Sequence, residues 1–253
     1  TLSKPKIKND NSSIEIILGI DVARSQDTGN NQSSVAVLEI KRNKNGKVNQ
    51  IMLVNLIAIS NALNFTSQAI EIKKIKRDYK AKMAISDSNG LGIGLIDELM
   101  KETFDPNTGE SLGCWNTINT EFIPEVEDAE DCLYDLKPQS SNSEMIVNFI
   151  DMVESGKLRL LEKKQNADYD IKDKENYTSN ILPFIQTDFL IEEISNLQLK
   201  PLPSGKVTVD KVIKKIGKDR FSSLMYGLWY IKAFEDNVFT EESDWSNFSG
   251  FIN

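Results

Sequence analysis

The chain contains no histidine in 253 residues. That absence excludes Ser-His and Cys-His nucleophilic catalysis, His-ligated zinc and imidazole acid-base chemistry. Any chemistry must run on carboxylates, lysines, hydroxyls or a bound metal. The only cysteines, Cys114 and Cys132, form no CxxC pair. A chain this long does not depend on a disulfide staple, so both read as reduced bystanders. No apolar run approaches the roughly 20 residues that span a bilayer, so no membrane association is expected. The opening TLSKPKIKNDNSS has neither an initiator Met nor the apolar core of a signal peptide. It reads as a linker remnant over residues 1–13, and the chain as a cytosolic piece of something longer. There is no Walker A sequence.

What is present is an ordinary soluble composition, 40% hydrophobic and 27% charged, in a chain long enough to bury a full core. The net charge of −8 argues against generic nucleic-acid affinity. Basic residues nevertheless cluster at Lys73, Lys74, Lys76, Arg77, Lys80 and Lys82, and again at Lys211, Lys214, Lys215, Lys218 and Arg220. Each cluster reads equally well as a solvated helix face.

The chain is organised around Ile14 to Ile40. A continuous apolar run, Ile14 to Asp21, stops abruptly at an acid, and after a loop of turn residues Ser34 to Ile40 runs back as a second strand. Asn45-Gly46 marks a turn into a third strand, Val48 to Ser60, giving an antiparallel meander. Phe65 to Tyr79 has helical spacing, with Asn64 or Thr66 to cap it. Met83 to Ser86 is a short buried strand that again ends in an acid, Asp87. Gly90, Gly92 and Gly94 follow, then a helix to about Thr103. The glycines resemble a dinucleotide loop only superficially, and are read as letting backbone pass close to the Asp87 carboxylate.

Trp115 to Ile123 is expected to be a fifth strand. Glu121 to Asp135 is acidic with no basic residue, and reads as a solvent loop or repulsive gate. Helices are expected at Ser143 to Ser155 and Phe184 to Leu197, with a polar, mobile stretch over Lys163 to Ser179 between them. Ser204-Gly205 marks a hairpin. Asp219 opens a last helix, apolar almost all round, where an N-cap is the plain alternative to a functional role.

Three acids thus occupy comparable places: the end of the first strand, the end of the fourth, and the start of a buried helix. An RNase H-like sheet makes the first and fourth strands neighbours and brings Asp21, Asp87 and Asp219 together. Crowded carboxylates repel and raise one another's pKa unless a divalent cation compensates them. Oxygen-only ligation suits Mg²⁺ or Mn²⁺, as one or two ions, which can activate water and stabilise a leaving oxyanion without a histidine.

The sequence resembles the C-terminal nuclease domain of the large terminase subunit of tailed bacteriophages. The likeness rests on GIDVARSQD at Gly19 to Asp27, SDSNGLGIGLIDEL at Ser86 to Leu99 and KDRFSSLMYGLWY at Lys218 to Tyr230. It implies an α/β, RNase H-like mixed sheet flanked by helices with an auxiliary β-hairpin. The nuclease domain would span residues 14–235, with a polar tail over 236–253. It implies a metal-dependent endonuclease that cuts concatemeric double-stranded viral DNA in the host cytoplasm. An N-terminal ATPase domain, the portal and the small terminase subunit would be its partners in the full-length protein. Asp21, Asp87 and Asp219 fall on the family's metal-binding, catalytic acids. Many members carry a further acid or a histidine beside the last one, where this chain has Lys218, which bears on a second metal. Asp27 is a possible outer ligand or a loop cap. Lys214, Lys215, Lys218 and Arg220 are candidate DNA contacts, from their closeness to Asp219. The alternatives are a resolvase- or transposase-type nuclease, an actin- or chaperone-type nucleotide-binding domain, and an inert docking module.

Overall fold

In a computed structural model that describes residues 14–23, 32–162 and 174–241, Ile14–Asp21 forms strand β1. Its apolar run follows from its place: Ile17, Leu18 and Ile20 are fully buried because the strand is covered on both faces. Ser33–Arg42 (β2) and Val48–Ile59 (β3) complete the antiparallel meander. Asn64 caps α1, Phe65–Tyr79, by accepting from the Ser67 N–H at 2.8 Å. Met83–Asp87 (β4) lies parallel to β1 with Ile20 opposite Ser86. The acids that end the two strands therefore stand at one edge of the sheet.

The next helix, α2, spans Gly92–Leu99 and stops short of Thr103; Gly92 and Gly94 lie inside it. Thr103–Phe104 (β5) and Ser111–Gly113 (β6) pair as a small hairpin, and the expected fifth strand is only Trp115–Thr117 (β7). The end of the acidic stretch is no solvent loop but strand β8, Glu130–Leu136, inserted parallel between β7 and β4. Cys132, Leu133 and Leu136 are buried and supply the driving force that the surrounding acids hide.

Pro138–Glu154 (α3) begins well before Ser143, with proline in its first turn. Ser143 lies inside the helix, and its hydroxyl accepts from the Val207 N–H at 2.9 Å. Leu158–Arg159 (β9) extends the sheet beyond β3, and Lys174–Ser195 (α4) starts earlier than its apolar pattern. Leu197–Pro201 (β10) and Val207–Lys211 (β11) form the expected hairpin, turning through Gly205 at φ 77°. Asp219–Glu241 is α5, which continues past residue 235. Asp27, residues 163–173 of the stretch expected to be mobile, and the tail beyond 241 lie outside the described residues.

The sheet order is β7-β8-β4-β1-β2-β3-β9, with β2 alone running against the rest. This is the RNase H-like arrangement. Helices α1 and α2 pack on one face, through Ile72, Leu95 and Leu99. On the other face α3, α4 and α5 pack through Met145, Leu190 and Leu224.

Candidate functional site

Two glycines bring the site together. A Cβ on Gly19 would lie 2.0 Å from the Ser223 carbonyl oxygen, so only glycine lets α5 seat this closely on β1. That seat carries Asp219, at the start of α5, to Asp21 at the end of β1. The Ser34 and Ser223 hydroxyls, 3.0 Å apart, tie the helix to β2 as well. A Cβ on Gly92 would lie 1.7 Å from the Asp87 carbonyl oxygen. Glycine is thus required for α2 to fold back over the end of β4, and the close approach is to the Asp87 backbone rather than its carboxylate.

Asp21 feels both of the other acids. Burial, then the charges of Asp219 and Asp87, push Asp21 well above the usual carboxylate range, against the pull of Lys218 and a hydrogen bond from Ser222. Asp87 is raised by burial, which outweighs hydrogen bonds from Asn89 and Tyr226, and the charge of Asp135 adds to the rise. The Asn89 N–H donates to its Oδ1 at 2.7 Å. Asp219 is also raised by burial, although the Gln32 N–H donates to its Oδ2 at 3.0 Å and Arg220, Lys211 and Lys218 oppose the shift. Its carboxylate therefore reaches across to the strand that follows the first loop.

Sequence reasoning missed Ser222 and Tyr226, which reach Asp21 and Asp87 from α5. The signal was present: Asp219, Ser222, Ser223 and Tyr226 form a polar stripe at helical spacing along an otherwise apolar helix. Burial and the adjoining carboxylates hold the Tyr226 phenol far above its ordinary range, so it acts as a neutral donor.

The candidate cations separate into distinct environments. Lys218 lies close enough to Asp21 and Asp219 to lower both. Lys215 lines a cleft of about 510 Å³ beside the start of α5, with Gln32, Phe189, Glu193 and Arg220. Lys214 is engaged by Asp210 at 3.0 Å. The Arg220 guanidinium bonds Glu193 and Gln186, both at 2.8 Å, and lies over the Phe189 ring. The first basic cluster is largely neutralised: Lys74 pairs with Glu71, Lys76 with Glu130, and Arg77 with Asp105 and Glu110. Lys73 is buried, donating to the carbonyls of Lys101 and Gly113 at 2.6 and 2.7 Å.

Half-buried oxygen donors, all raised by burial and Asp21 further by the charges of Asp219 and Asp87, fit a divalent cation in charge and donor chemistry. Among the described residues no three Asp, Glu, Cys or His side chains form a ready-made ligand cluster.

Solved structures that align with the chain are the large terminase nuclease of thermophilic phage G20c with bound magnesium, and the same nuclease with bound cobalt. The magnesium form is 16% identical at a TM-score of 0.49, covering 87% of this chain and 82% of that one. The cobalt form is 15% identical at 0.49, covering 85% and 81%. The Thermus phage P74-26 large terminase nuclease domain is 16% identical at 0.46, covering 84% and 77%. No family model matches the chain, and no curated protein does.

Proposed function

We propose that the chain is a divalent-metal-dependent endodeoxyribonuclease that cuts double-stranded viral DNA during genome packaging. The observation that carries the chemistry is the convergence of Asp21, Asp87 and Asp219 at one end of the sheet, where burial raises all three and the charges of Asp219 and Asp87 raise Asp21 further. The packaging role rests on the sequence motifs alone. In that setting the partners are an ATPase domain on the same polypeptide, a portal and a small terminase subunit.

Asp21, Asp87 and Asp219 would hold Mg²⁺ or Mn²⁺, which when bound supplies charge to the phosphate and acidity to a coordinated water. The residues themselves orient and shield. Ser222 and Tyr226 stand beside the Asp21 and Asp87 carboxylates and lower their pKa values, and the Gln32 N–H fixes Asp219 by a donated hydrogen bond. Lys218, beside the acids, is placed to receive a DNA phosphate, with Lys215 further along the cleft. Lys214 and Arg220 would have to leave Asp210 and Glu193 to do so. At −8 the domain has little non-specific DNA affinity of its own. Slow, sequence-indifferent cutting is expected of the isolated domain, with the motor holding DNA at high local concentration.

The test is a supercoiled-plasmid assay with Mn²⁺, Mg²⁺, Ca²⁺ or EDTA, comparing wild type with Asp87→Asn. Nicking and linearisation that need Mn²⁺ or Mg²⁺ and vanish in the variant are expected. A wild type inert with every metal, and without Mn²⁺ binding by calorimetry, overturns the reading in favour of a docking module. A preference for four-way junctions over plasmid would favour a resolvase.

A further inference from the structure

Gln68 stands on α1, across the sheet from α5, and is wholly buried. A buried amide needs partners for one acceptor and two donors. Gln68 finds all three, two of them where the chain leaves β1 and enters β2. Its Oε1 accepts from the Ser33 hydroxyl at 2.6 Å, and its Nε2 donates to the carbonyls of Leu63 at 3.0 Å and Ala23 at 3.3 Å. The two carbonyls fix which way the amide points, because a flipped side chain would set oxygen against oxygen. The Ser33 hydroxyl has one proton, and of its two acceptors, Gln68 Oε1 at 2.6 Å and the Ala23 carbonyl at 3.0 Å, the amide is the nearer.

Ser33 closes the clamp from the second strand, its oxygen accepting from the Ala23 N–H at 2.9 Å. Both backbone polar groups of Ala23 are thus engaged by the Ser33–Gln68 pair. The ladder between the strands ends at Asp21 opposite Ser34. Beyond it, these side chains make the bonds that backbone pairing no longer makes. The neighbours of Ser33 lead to the acids. Gln32, one residue before it, gives its N–H to Asp219 Oδ2, and Ser34, one residue after it, meets Ser223 of α5. Three successive residues are therefore held in turn by Asp219, by Gln68 and by α5, from both faces of the sheet. Pinning Ser33 to α1 fixes the aim of the Gln32 N–H.

Building on the proposed nuclease centre, we propose that Gln68 is a positioning residue for it: through Ser33 and Ala23 it sets the backbone that carries Asp21 and aims the Gln32 N–H at Asp219. It acts through that backbone, from the opposite face of the sheet.

The experiment compares wild type with Gln68→Met, Ser33→Ala and Asn64→Ala, well below the melting temperature of each. Two quantities are read: plasmid nicking with Mn²⁺ at varied plasmid concentration, and hydrogen exchange of the Gln32 amide in metal-free protein. Gln68→Met keeps the length of the side chain and removes its polar groups, and Ser33→Ala opens the clamp from the other strand. Asn64→Ala weakens α1 through its cap and leaves the clamp intact, so it reports the effect of lost stability alone. Both clamp variants are expected to lose about tenfold or more in kcat with KM unchanged, and to exchange the Gln32 amide about tenfold faster. Asn64→Ala should match wild type in both. Wild-type kcat or wild-type exchange in either folded clamp variant overturns the proposal, as does an equal fall in Asn64→Ala. If Gln68→Met does not fold, Ser33→Ala decides by the same two readings; if neither folds, the pair is only a structural brace and the proposal falls. Clamp variants that nick as wild type does remove only this proposal. A wild type that neither nicks nor binds Mn²⁺ by calorimetry removes the nuclease reading, and with it the centre that Gln68 would position.

Discussion

Gly19→Ala tests whether the close seat of α5 on β1 assembles the acids. The new Cβ would stand 2.0 Å from the Ser223 carbonyl oxygen, which is backbone and cannot rotate away. Reaching even the 3.0 Å limit of real Cβ contacts requires α5 to move outward by about 1 Å. Such overpacking costs about 1–3 kcal/mol. The helix would also draw Ser223 from Ser34 and carry Asp219 and Ser222 away from Asp21. A misplacement of about 1 Å at a reacting centre can lower a rate by about 100-fold. Urea unfolding and metal-dependent plasmid nicking should therefore fall together in Gly19→Ala. A variant as stable and as active as wild type would refute the argument that glycine at this position sets the site.

Other outcomes follow from the same geometry. Burial raises Asp21, Asp87 and Asp219 above their ordinary 3.8, and neighbouring carboxylates add to the rise at Asp21 and Asp87. The folded protein then keeps protons that the unfolded chain has released. Metal-free stability from this source falls as pH rises from 3.8 through the raised values, then levels off. Asp21→Asn should flatten that slope, and an unchanged slope in urea melts at stepped pH would count against the crowding. Arg220→Ala leaves Glu193, whose side chain is only 3% exposed, without its cation. About 3 kcal/mol of stability should be lost in denaturant titrations; a loss confined to DNA affinity would make Arg220 a phosphate contact instead. Lys218→Ala should spare folding but weaken DNA binding, with a shallower dependence on salt by filter binding. An unchanged salt slope would remove Lys218 from the DNA path. Lys73→Met strands the Lys101 and Gly113 carbonyls. A loss of about 2 kcal/mol is expected, and a melting temperature equal to wild type would show that those bonds contribute nothing net.

Sequence alone determined the elements whose signals are local. The apolar run of β1, the period of α1 with its Asn64 cap, and the turns at Gly46 and Gly205 all stand where the residues place them. The places of Asp21, Asp87 and Asp219 were legible because each ends or begins a strongly patterned element. Tertiary structure alone decided which groups meet. The acidic run before Asp135 looks like a solvated loop, and becomes a strand only because β4 and β7 offer backbone partners on both sides. Burial of its few apolar residues against distant helices then outweighs the cost of ordering it. Arg220 reads from its neighbours as a DNA contact, yet Glu193 on another helix claims it. Strand period and caps are encoded within a few residues. Pairing, burial and charge compensation depend on residues far apart in the chain, so the surroundings of Asp135 and Arg220 exist only in the folded molecule.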